Sequence, residues 1–208
     1  MSTTAADSGL YAAKAWFTRR LHRIVDLAVR HRVSPDTFTT VGILFAVAAG
    51  VALALGWWHV AVVGIVGRLT GANLDGAVAR ARRVARPFGA VLNEVGDRVS
   101  DLAIMTGLVA LAWRTTTPAV ALLMALAALA ATLPTFAALA VAAAGGTRRN
   151  GGPFGKTERC LVAALACPAS AVLDRPAAVL SGAALLVLGG SLVTATLRVL
   201  AARRELAA

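Results

Sequence analysis

Asp75, Glu94, Asp97 and Asp101 crowd into the stretch LDGAVARARRVARPFGAVLNEVGDRVSD, residues 74–101, with the carboxamide of Asn93 among them. Carboxylates and carboxamides gathered in one place are hard oxygen donors. They suit Mg2+, Mn2+ or Ca2+ rather than zinc, and a cation bound there would bring in phosphate. The chain around them is unusual for such a cluster, because 58% of its 208 residues are hydrophobic and its mean hydropathy is +0.74. Charge placed in hydrocarbon is costly and marks function more often than packing.

The elements that must position these acids read as an all-α, polytopic membrane protein, a single domain over residues 1–208. Uncharged runs at Thr39 to Trp57, Thr115 to Thr147 and Pro176 to Leu197 each approach or exceed the roughly 20 residues that cross a bilayer. Val60 to Ala79 and Gly89 to Trp113 have spanning length but carry charge, and Cys160 to Leu173 is shorter and holds Pro168. These runs predict six transmembrane helices over residues 39–200. Ahead of them, over residues 8–32, Leu10, Phe17, Leu21, Ile24 and Ala28 recur at helical spacing opposite Arg19, Arg20, Arg23 and Arg30, which predicts an amphipathic juxtamembrane helix. VSPDT ends that helix and starts the first span.

The formal net charge of +11 follows topology. With both termini cytoplasmic, all but Arg114 and Arg175 of the loop and terminal basic residues fall inside, the asymmetry that orients multi-pass proteins in a cell membrane. That placement removes the case for a nucleic-acid partner. The opening residues lack a cleavable-signal pattern, so the first span is expected to be a mature helix. Cys160 and Cys167 lie two turns apart, too far for a disulfide, and read as packing residues. The loop GGTRRNGGPFGKTER, residues 145–159, reads as flexible and cytoplasmic, while Gly64 and Gly67 read as helix-packing positions.

Helix geometry sharpens the acidic cluster. With Asn93 at zero, Ser100 lies at about −20°, Asp97 at about 40°, Asp101 at about 80° and Glu94 at about 100°, leaving Val91, Val95, Val99 and Leu102 on the other side. On the preceding span Arg68 sits about 20° from Asp75, whereas Asn73 points nearly opposite. Two polar faces can therefore meet across a helix pair. An intramembrane ion-pair network built by Arg68 and Arg98 is the competing reading, and an acidic transport pathway is another, although acids crowded to one side of the bilayer speak against a pathway.

Ala72, Asp75, Gly76, Ala79, Arg80, Gly89, Asn93 and Asp97 stand in register with a signature, Asp-x2-Asp-Gly-x2-Ala-Arg-x8-Gly-x3-Asp-x3-Asp. On these residues the chain resembles the CDP-alcohol phosphatidyltransferases. Ala72 and Asn93 replace the first and third aspartates. The resemblance implies transfer of a phosphoalcohol, such as the phosphatidyl group of CDP-diacylglycerol, to the hydroxyl of an acceptor alcohol, with release of CMP, in phospholipid biosynthesis. It implies Mg2+ or Mn2+ as cofactor and a homodimer among membrane lipids. Carried over by position, Asp75 is a metal ligand and Asp97 a ligand or general base. Gly76, Ala79, Arg80 and Gly89 border the nucleotide. Asn93 can still offer oxygen to the cation, and Glu94 and Asp101 can restore the missing charge. Arg68, Lys156 and Arg159 are candidates for the acceptor or headgroup phosphate, set against ion pairing for the first and topology for the other two. A non-catalytic member binding nucleotide or lipid at a degraded metal site is the alternative function.

Overall fold

In a computed structural model of the chain, residues 20–207 are described and every regular element among them is helical. The part of the amphipathic helix expected before residue 20 lies outside them. The described chain divides into two compact units, residues 20–108 and 109–207.

The first unit holds α1 (His22–Arg30), α2 (Pro35–Leu55), α3 (Trp58–Ala81) and most of α4 (Pro87–Thr115). Local chemistry sets the boundaries. The Ser34 side chain accepts a hydrogen bond from the Asp36 amide, with Pro35 at the first helical position, and Gly56 closes α2 at φ 77°, the left-handed conformation glycine adopts without penalty. Trp58 then opens α3 almost at once, its ring stacked on His59. α1 packs on α3 and turns Ile24 and Leu27 outward. Arg82 ties the two connections on that side, donating to the carbonyls of Arg32 at 3.0 Å and Val33 at 2.6 Å. Arg86 pairs with Asp36 beside it.

Small residues decide how closely these helices approach. A Cβ on Gly64 would lie 2.9 Å from the Phe45 carbonyl, one on Gly67 would lie 2.6 Å from the Phe45 ring, and one on Gly71 would lie 2.9 Å from the Gly42 Cα. The α2 and α4 backbones touch at Gly50 and Gly107, where an added Cβ would lie 2.3 Å from the carbonyl of Ala103 or of Gly50. Gly50→Ala is therefore expected to cost about 1–3 kcal/mol through overpacking, read as a lower melting temperature in detergent. Gly182→Ala, with nothing within 4 Å of the added Cβ, is expected to leave melting unchanged or raise it slightly.

In the second unit α5 (Pro118–Ala130), α6 (Leu133–Ala143) and α7 (Lys156–Val172) pack on α8 (Pro176–Leu206). The 145–159 loop differs from expectation because it is tied to α8 along successive turns. Phe154 donates its amide to the Thr194 hydroxyl at 3.1 Å and lays its ring over Gly190. Arg198, expected among the cytoplasmic basic residues, is buried instead and donates to the carbonyls of Pro134, Asn150 and Gly151. Glu205 accepts from the Thr147 amide at 2.7 Å and from Arg149 at 3.1 Å. Glycines loosen the loop in sequence, but these bonds hold it. Cys160 and Cys167 are buried in α7 and not joined to each other.

Three stretches are long and apolar enough to cross a bilayer: α2, the Pro118–Ala143 stretch formed by α5 and α6, and α8. Such helices make this a membrane protein. α3 and α4 have the length but carry charge, and α7 is a 17-residue helix with Pro168 inside.

Candidate active site

Three helices of the first unit supply one small cleft, lined by Thr39, Gly42 and Ile43 of α2, Arg68, Ala72 and Asp75 of α3, and Asn93, Gly96, Asp97 and Ser100 of α4. Its lining follows helical arithmetic. Arg68, Ala72 and Asp75 recur at intervals of four and three on α3, as do Asn93, Gly96, Asp97 and Ser100 on α4, so each set shares a face. Asp75 and Asp97, the two acids retained from the signature, thus meet in one place.

Hydrogen bonds settle how each side chain is held. Asp75 Oδ2 accepts from the Thr39 hydroxyl at 3.1 Å and from the Asn93 amide nitrogen, while Oδ1 accepts from the Gly76 amide. Arg68, 1% exposed, donates to Asp97 Oδ1 at 3.0 Å and reaches Asp101 at 3.7 Å. A guanidinium so far from water needs partners, and these carboxylates also supply the opposite charge. Arg68 thus forms ion pairs, and it forms them inside the cleft.

The expected polar stripe of α4 splits. Asn93, Asp97 and Ser100 line the cleft. Glu94 and Asp101, expected as extra ligands, are not among its lining residues and lie against Arg98 at 3.7 and 3.2 Å. They are the members farthest from Asn93 around the helix, close enough to the cluster to read as one stripe but turned enough to meet another partner. Asn73 donates to the Leu69 carbonyl within α3 and stays off the cleft, as its angle predicts. Val91, Val95, Val99 and Leu102 are exposed on the opposite side of α4.

The residues expected to border a nucleotide stand outside the cleft lining. Gly76 and Ala79 are half-buried and Arg80 is exposed. Unlike the packing glycines of α3, Gly76 meets no neighbouring helix among the described residues, and a Cβ there would lie 3.1 Å from the Arg80 side chain. Gly89 likewise meets only the side chain of Arg86. Lys156 and the buried Arg159 lie on the first turn of α7, in the second unit. Thr39 is the site residue that sequence reasoning missed. Its only signal is a hydroxyl three and four residues before Gly42 and Ile43 at the start of an apolar helix.

Two carboxylates and a carboxamide oxygen are the donors a hard divalent cation takes, so Asp75, Asp97 and Asn93 fit Mg2+ or Mn2+ in kind. Among the described residues no three His, Cys, Asp or Glu side chains converge as a ready cation site, in keeping with a cleft that has only two acids. Apolar helices around such donors, with Asp75 and Asp97 at the signature spacing, define a metal-dependent phosphotransferase of the membrane.

Comparison with known proteins gives the family. The CDP-alcohol phosphatidyltransferase family model matches residues 32–189, and the chain belongs to that family, whose members use Mg2+ or Mn2+ and act in phospholipid biosynthesis. A phosphatidylinositol phosphate synthase of Mycobacteroides abscessus is 32% identical over 165 residues, which are 74% of this chain and 70% of that one. Two crystal structures of Mycobacterium tuberculosis phosphatidylinositol phosphate synthase share the fold. The one with CDP-DAG bound superposes with a TM-score of 0.77 at 24% identity, over 90% of this chain and 95% of that one. The one with manganese and citrate gives 0.76 at 23%, over 88% of each.

Proposed function

We propose that this enzyme transfers the phosphatidyl group of CDP-diacylglycerol to the hydroxyl of an acceptor alcohol and releases CMP. The observation that carries the reading is the meeting of Asp75 and Asp97 in one cleft with Asn93 and Arg68. In the transfer, the acceptor oxygen attacks the phosphorus that carries diacylglycerol, the bond from that phosphorus to the CMP oxygen breaks, and the acceptor proton passes to the Asp97 carboxylate. A carboxylate within hydrogen-bond reach is what that proton transfer requires. Arg68 orients Asp97 through its 3.0 Å bond, and Thr39 and Asn93 orient Asp75. When bound, Mg2+ or Mn2+, held by Asp75, Asp97 and the Asn93 oxygen, offsets charge that builds on the diphosphate. Gly76, whose smallness no packing contact demands, lets the nucleotide approach the α3 backbone, with Ala79, Arg80 and Gly89 beside it.

The wider reading supplies the setting: one membrane domain over residues 1–208, a six-span bundle preceded by a juxtamembrane helix, both termini cytoplasmic, and a homodimer. The excess of basic residues on one side supports the orientation. Lys156 and Arg159 are the second unit's candidates for an acceptor phosphate. Because the M. abscessus relative is a phosphatidylinositol phosphate synthase, inositol phosphate is the first acceptor to try.

The test is CMP release from CDP-diacylglycerol by purified protein with Mn2+ and a panel of alcohols and phosphorylated alcohols. Release that depends on one acceptor supports the proposal. Donor binding without release under any of them would overturn it in favour of a non-catalytic lipid- or nucleotide-binding role.

A further inference from the structure

We infer that the cleft holds a single divalent cation, because the replacement of two motif aspartates has removed the ligands and the charge of a second. The inference rests on the reading of this cleft as the diphosphate-binding centre. Each of the ways in which the chain could have compensated for Ala72 and Asn93 has an observation against it. Ala72 lines the cleft without a side-chain oxygen. Asn73, its neighbour, is turned away and bonded to Leu69. Glu94 lies against Arg98, and Asp101 is shared between Arg98 and Arg68; neither lines the cleft. Asn93 turns its amide nitrogen to Asp75, which leaves only its oxygen to offer and joins the two side chains as one hydrogen-bonded unit. An aspartate there would set two carboxylates against each other unless a cation lay between them.

Charge points the same way. Two carboxylates fewer than the signature is the charge of one divalent cation. The ionised groups lining the cleft are Asp75, Asp97 and Arg68, which one such cation more than neutralises before a diphosphate arrives. A second would leave the cleft strongly positive with few oxygen donors to coordinate it, and hard cations take about six.

Mn2+ titration of the full-length protein in non-ionic detergent, read by calorimetry and by electron paramagnetic resonance, decides the matter. The expected result is one tightly bound Mn2+ per chain with the six-line spectrum of an isolated ion. The double variant Ala72→Asp, Asn93→Asp is expected to bind two, with the spectrum broadened by coupling between ions roughly 4 Å apart. Two coupled ions in the unaltered protein would overturn the inference, and so would none. Should the double variant fail to fold, the unaltered protein still decides it. CMP release is scored separately: two ions with turnover would sink the single cation and leave the transferase reading standing, whereas one ion without turnover would do the reverse.

Discussion

Asp97→Asn is expected to reduce CMP release by about 10²–10⁴-fold, the range that a positioned general base contributes. The substitution keeps the size of the side chain and an oxygen for Arg68, which donates to Asp97 Oδ1 at 3.0 Å, but leaves Asp101 as the nearest carboxylate to that buried guanidinium, so the melting temperature is read beside the rate. What it removes is the carboxylate able to take the acceptor's proton and one of the two cleft acids that face a cation. The measurement is initial rate at saturating CDP-diacylglycerol across a range of Mn2+ concentrations. A rate that stays depressed at every Mn2+ concentration assigns Asp97 to proton transfer; a rate restored at high Mn2+ would limit it to holding the ion. Activity within a few-fold of the unaltered enzyme would remove Asp97 from the mechanism.

Arg68→Met is expected to be the most damaging change to stability. Arg68 is almost wholly excluded from solvent and lies at 3.0 Å from Asp97 and 3.7 Å from Asp101. Without it Asp97 would lose the cation at 3.0 Å, and Asp101 would be left to Arg98. Breaking a buried pair from one side in this way costs about 3–5 kcal/mol. Thermal unfolding in detergent measures it. Arg68→Lys is expected to recover only part of the loss, because the lysine stem ends short of the Nη2 that makes both contacts. Added Mn2+ should raise the melting temperature of Arg68→Met more than that of the unaltered protein, since ligands that bind the native state stabilise it and the uncovered acids attract the ion more strongly. Unchanged melting of Arg68→Met would mean that this arginine carries no structural load.

Much of this site was legible before any coordinates. Rotation by about 100° per residue puts Arg68 with Asp75 and turns Asn73 away, and it puts Asn93, Asp97 and Ser100 together; all of these placements hold. The Ser34 and Pro35 start and the Gly56 stop of α2 are local chemistry, written where they act. Partners across helices were not legible. Thr39 reaches Asp75 only because Gly42 and Gly71 bring α2 onto α3, a distance no single-helix projection contains. Glu94 and Asp101 were placed with the cleft donors because an angular stripe has no sharp edge, and Arg98 decided where the edge fell. Arg198 fits the charge pattern of the sequence, yet two loop carbonyls and that of Pro134 at the start of α6 claim it. Loop backbone has no periodicity to forecast such a claim.

The two sides of α4 have a consequence for a lipid donor. Within the same few turns, the helix shows oxygen donors to the cleft and Val91, Val95, Val99 and Leu102 to its surroundings. Acyl tails can thus lie along the valines while the reacting headgroup rounds the helix to the acids. Under the proposed reaction such a donor would be processed where it floats, with no need to be lifted out of its leaflet.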